Sequence, residues 1–81
     1  MTYAHAIQKR LEELRRQYRI KNNNQLALHV GLRQSTIENL MKGRTKNPSL
    51  RTLCRIATGF GMTVSQLLDF PEMNESRMTD E

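Results

Sequence analysis

Two carboxamides and a hydroxyl, Gln34, Asn39 and Ser35, share one face of a helical phase whose opposite face, Ile37 and Leu40, points inward. Glu38 joins the polar side. A carboxamide offers a donor beside an acceptor, which matches N6 and N7 of adenine in the DNA major groove. A hydroxyl serves either kind of edge, and a carboxylate such as Glu38 accepts from cytosine N4. An outward glutamate also has plainer uses, repelling wrong sites or pairing with a nearby cation. Arg33, at the helix start, reaches a guanine or a phosphate, and both readings stay open. Shortly after, Lys42, Arg44 and Lys46 lie in a loop with Thr45 and Asn47 that Pro48 closes. Loop charge serves solubility as well as binding, but beside a polar helix face it points to phosphate contacts.

The bulk composition agrees with a polyanionic partner. The 81 residues carry 13 Lys/Arg against 8 Asp/Glu, a formal charge of +5. That excess is uneven: residues 1–70 hold 12 cations and 4 acids, a net of +8, whereas 71–81 hold 1 and 4, a net of −3. Nucleic acid is the commonest partner of so basic a body. A chain of this length makes one domain and buries only about 60–65% of its unfolded surface, so modest stability is expected and dimerisation would add to it. Catalysis is disfavoured, since the sequence has no carboxylate pair, no nucleophile with a patterned His and no phosphate-cradling Gly-rich loop. Cys54, the single cysteine, has no disulfide partner and no metal-type spacing around it, so it is expected to be a buried small apolar residue. No cofactor or metal is implied. With neither a signal peptide nor a membrane span in view, a cytoplasmic location is expected.

The positioning elements follow from periodicity and caps. Over residues 4–19, Ile7, Leu11, Leu14 and Tyr18 recur at intervals of three and four, with Lys9, Arg10, Glu12, Glu13, Arg15, Arg16 and Arg19 as a solvated opposite face. Asn22, Asn23 and Asn24 break the period, because asparagine competes for backbone hydrogen bonds and favours helix starts. Asn22 is expected to cap a second helix, with Leu26, Ala27 and Val30 facing the core and His29 partly exposed. Gly31, comfortable at positive φ, ends it. The polar-faced third helix runs over about 34–41, with Arg33 as an N-cap that preference disfavours. Ser49 caps a fourth helix bearing Leu50, Leu53, Ile56, Ala57 and Phe60; being the most apolar stretch, it is expected to form the centre of the core. Thr63 caps a short fifth helix whose Val64, Leu67 and Leu68 close the core, with Phe70 extending that seam. Residues 71–81 have no apolar period, so a mobile acidic tail is expected, with packing on a second subunit as the alternative. The expected fold is all-α, a compact five-helix domain over 1–70.

Leu26-Ala27, Gly31-Leu32, Gln34-Ser35-Thr36-Ile37, Gly43, Pro48-Ser49-Leu50, Leu53, Ile56-Ala57, Gly61-Met62-Thr63-Val64 and Leu67-Leu68 form an ordered set with fixed spacings. This set resembles the lambda-repressor-like helix-turn-helix domains of phage repressors, Cro proteins and the related XRE regulators. The resemblance covers about residues 22–69. It implies a third helix laid in the major groove and a second laid across the backbone. Base contacts are then expected from Arg33, Gln34, Ser35, Glu38 and Asn39. Phosphate contacts are expected from Asn23 in the first turn of the second helix, from Thr36, and from Lys42, Arg44, Thr45, Lys46 and Asn47. Three features depart from the family's pattern. Asn23 stands where many relatives have Gln. Met41 stands where many have Glu paired with a first-helix arginine, here Arg16, which is then solvated or turned toward DNA. Finally, residues 20–24 hold one residue more than usual.

Together these readings imply a sequence-specific transcriptional regulator, a repressor by its likeness, bound to double-stranded DNA as a homodimer on half-sites about 34 Å apart. The alternative is a protein-interaction module such as an antitoxin, whose patch would have to come from Tyr3, Met73, Met78 or the last helix.

Overall fold

Five helices, α1 (Tyr3–Gln17), α2 (Asn23–Val30), α3 (Gln34–Met41), α4 (Leu50–Gly59) and α5 (Val64–Leu68), follow one another in the computed structural model, which describes residues 2–74. All regular elements among the described residues are helices. Four of the five start on a side-chain cap, since the first backbone N–H groups of a helix have no partner inside it. Thr2 accepts from His5 N–H, Asn22 from Gln25 N–H, Ser49 from Thr52 N–H and Thr63 from Gln66 N–H. The Asn22 bond, 2.9 Å long, fixes the register of α2 and makes Asn23 its first residue.

One apolar core joins Ile7, Leu11 and Leu14 of α1, Leu26, Ala27 and Val30 of α2, Ile37 and Leu40 of α3, Ile56 and Ala57 of α4, Phe60 and Leu67. The centre of that core differs from expectation. α1 buries five residues, whereas α4 buries only Ile56 and Ala57 within its span. Leu50 opens α4 with 67% of its surface exposed, and Cys54, expected to be buried, is exposed one turn later. Position 54 follows Leu50 by four and precedes Ile56 by two, so it shares the outward face of the first and opposes the second.

Two arginines of the supposedly solvated face of α1 are structural. Arg10 donates from Nε to the Leu67 carbonyl at 2.9 Å and from Nη2 to the Gln66 carbonyl at 3.1 Å, with its guanidinium 5.5 Å from the centre of the Phe70 ring. It thereby supplies partners and positive charge to the C-terminal end of α5. Arg15 donates from Nη1 to the carbonyls of Ile20 and Lys21 and closes the α1–α2 turn, in which Arg19 adopts φ 55°. Arg16 is exposed, in keeping with the absence of a carboxylate at Met41. Tyr18 is 41% exposed; its ring packs 4.8 Å from that of Phe60 and its hydroxyl donates to the Phe60 carbonyl.

The packed body also runs past Phe70. Residues 71–74 form a turn in which Met73 packs on the core and Glu72 pairs with Lys9 at 2.5 Å. Their mutual hydrogen bond and charge raise the Lys9 amine above its ordinary pKa and lower that of the Glu72 carboxyl. The remainder of the acidic tail, 75–81 with Met78, lies outside the described residues.

α4 approaches α2 at a glycine. A Cβ on Gly59 would meet Val30 Cα at 2.8 Å and Val30 Cγ1 at 2.9 Å. Gly59→Ala therefore gains about 1 kcal/mol of helix propensity but meets an overpacking cost of about 1–3 kcal/mol. Because the nearest atom is backbone, the cost prevails, and thermal unfolding monitored by circular dichroism should show a Tm lowered by several degrees.

Candidate nucleic-acid interface

α2 and α3 are joined by three residues whose geometry follows from one glycine. Gly31 sits at φ 70° and ψ 35°, and its N–H donates to the Leu28 carbonyl at 3.4 Å. Leu32 N–H reaches back to the Ala27 carbonyl at 3.0 Å, and its side chain packs on the core. This pairing of last-turn carbonyls with a left-handed residue is a Schellman stop. Arg33 then returns to extended backbone, φ −68° and ψ 146°, and α3 begins without a side-chain cap.

Ile37 and Leu40 anchor α3 in the core and settle which face is left for a partner. Gln34, Ser35 and Asn39 are exposed, and Thr36 and Glu38 are half-buried. Gln34 Nε2 donates to Glu38 Oε1 at 2.9 Å, one helical turn away. That bond takes one of the two amide hydrogens; a carboxamide keeps a second hydrogen and an acceptor oxygen, the kinds of group that adenine N7 and N6 pair with. The Arg33 guanidinium is exposed at the same end of the helix.

The loop after α3 is tied to that helix. Arg44 N–H donates to the Asn39 carbonyl at 2.9 Å, and Lys42 N–H to that of Glu38 at 2.9 Å. Lys42, Arg44, Lys46 and Asn47 are exposed, while Thr45 is half-buried. Asn23, half-buried, opens α2 at the end remote from the turn, roughly 12 Å away at 1.5 Å per residue. The structure therefore gathers Arg33, Gln34, Ser35, Glu38 and Asn39 on one helix with the basic loop at its far end, and sets Asn23 apart on the neighbouring helix.

Two residues escaped the sequence reading. Arg51 and Arg55 of α4 line a cleft together with Arg33, Thr36 and Thr52. Their signal was the outward i, i+4 phase shared by two cations in a helix otherwise assigned to the core.

Among the described residues, no group of three or more His, Cys, Asp or Glu converges as a metal ion would need, and no helix is long and apolar enough to cross a membrane. Comparison with curated proteins and with solved structures returns no match. A family model for the Cro/C1-type helix-turn-helix DNA-binding domain matches residues 10–72, most of the chain. That span takes in all five helices from Arg10 of α1 onward, the Schellman turn and the basic loop. The chain belongs to the Cro/C1-type helix-turn-helix family of DNA-binding domains.

Proposed function

We propose that this DNA-binding protein is a sequence-specific transcriptional repressor that binds a two-fold symmetric operator as a homodimer. α3 lies in the major groove, where Gln34, Ser35 and Asn39 touch base edges, and Arg33 at its start reaches a guanine or a phosphate. Asn23, Thr36, Lys42, Arg44, Thr45, Lys46 and Asn47 hold the phosphates on either side. The observation that carries the reading is the Gln34–Glu38 hydrogen bond on an otherwise free polar face. It restrains a flexible, exposed side chain whose carboxamide keeps a second donor and its acceptor oxygen for a base. Glu38 in this scheme positions Gln34 with one carboxylate oxygen and keeps the other for a base or a cation. Two subunits would need an apolar contact, and the groove of Tyr3, Ile7, Pro48, Leu53, Leu68 and Met73, which Lys46 and Asn47 also line, offers one beside the phosphate-binding loop. The same groove supports the second reading, an antitoxin-like module that binds a protein partner with DNA secondary.

Selection of bound sequences from a random duplex pool tests both readings together. A single enriched motif with two-fold symmetry and half-sites about 34 Å apart is expected; a pool left unenriched would sink the repressor reading.

Base and phosphate roles separate by salt. Gln34→Ala should cost about 1–3 kcal/mol at the selected site and little elsewhere. Lys46→Ala should leave base preference alone and reduce the dependence of log affinity on log salt by about 0.9. Equal loss from Gln34→Ala on all sequences would remove it from base readout.

Glu38→Ala frees the Gln34 carboxamide, at an ordering cost of about 0.5–1.5 kcal/mol in affinity. In the Gln34→Ala background it should cost nothing further, a coupling that a double-mutant cycle measures. Additive losses would mean that Glu38 touches DNA on its own account.

A further inference from the structure

We propose that Arg51 and Arg55 of α4, with Arg33, form a phosphate cleft that extends the DNA footprint beyond the recognition helix onto α4. The inference rests on the DNA reading above. Arg33, Thr36, Arg51, Thr52 and Arg55 line one concave surface against the α2–α3 turn, and no acid lines it. All three arginines are exposed, and none has an ion-pair partner among the described residues.

Each of these charges stands where the fold alone disfavours it. Arg33 occupies the N-cap of α3, and Arg51 is the second residue of α4, so both face the positive end of a helix dipole. Neither helix has an acid in its first turn to compensate. Arg51 and Arg55 are four apart on one helix, the spacing at which like charges repel. Two uncompensated helix ends and three guanidinium groups thus concentrate positive potential in a cleft that also offers two threonine hydroxyls. Phosphate is the anion that such donors match, through paired N–H groups and hydroxyls.

Placement selects the DNA backbone among sources of phosphate. Thr36 belongs to the helix that carries Gln34, Ser35 and Asn39, and follows Ser35 by one position around it. The cleft is therefore continuous with the base-reading face along its flank, on the side where α4 packs beside the α2–α3 turn. A duplex seated on α3 presents one sugar-phosphate strand to that flank. The cleft carries no base-reading carboxamide, so its contribution is affinity without sequence preference.

The test is the salt dependence of binding by the full chain, on a duplex carrying the selected motif and on one without it. Arg51→Gln combined with Arg55→Gln removes both charges and keeps most of each apolar stem. The slope of log affinity against log salt should shrink by about 1.8, or 0.9 for each phosphate released, on both duplexes. Ranking of base substitutions in the motif should not change. Lysine at both positions should restore the slope, and circular dichroism melting should show all variants folded. An unchanged slope in the glutamine variant overturns the proposal. If Lys46→Ala still flattens the slope in that case, the DNA reading survives and the cleft is left to an acidic protein surface. If neither variant alters the slope and no motif is selected, the DNA reading falls with it.

Discussion

The position of Gly31 in the left-handed region is the constraint on which the rest of the site depends. It turns the chain between two eight-residue helices within three residues, and it does so while pairing the last carbonyls of α2. Leu32, packed on the core immediately after, fixes the direction in which the chain leaves. Ile37 and Leu40 then have one orientation available, and the polar face of α3 is what remains outside. A side chain with a Cβ at position 31 would meet no neighbour, so the restriction there is one of backbone conformation, not of space.

Electrostatics divides the molecule in two. On the α1 and α5 side, three cations are engaged internally, Arg10 on the carbonyls of α5, Arg15 on the α1–α2 turn and Lys9 on Glu72, although Arg16 and Arg19 stay exposed. Around α3 the opposite holds, and Arg33, Lys42, Arg44 and Lys46 stand exposed without an ion-pair partner among the described residues. Self-repulsion on that side slightly destabilises the free domain and favours a polyanion when one is present. The two populations look alike in composition and differ only in what the fold places beside them.

That difference also marks what could be learned from sequence alone. The caps at Asn22, Ser49 and Thr63, the stop at Gly31 and the inward phase of Ile37 and Leu40 are local rules, and each helix stands where they place it. The exposure of Cys54 was also available from its phase relative to Ile56, but apolar neighbours in the sequence obscured it. Arg10 and Arg15 were beyond reach, because their partners depend on tertiary docking: the carbonyls that Arg10 binds lie 56 and 57 positions away. Within the site, the polar face was legible residue by residue. The bond between Gln34 and Glu38 required rotamers, and the approach of Arg51 and Arg55 to Arg33 required the packing of α4 against the turn.

The clasp between Arg10 and α5 bears on how the chain acquires and loses its shape. Five residues are far too few for an autonomous helix, since nucleation alone is costly, and α5 persists through the Thr63–Gln66 capping box, the burial of Leu67 and the hold of Arg10 on its last carbonyls. Lys9 adds a second link to the turn that follows. Residues 9 and 10 are thus joined to 66–72, a seam of high contact order beside the long-range contact of Tyr18 with Phe60. Fraying at one end releases the other, so proteolytic trimming near Lys9 would be registered as opening around Phe70.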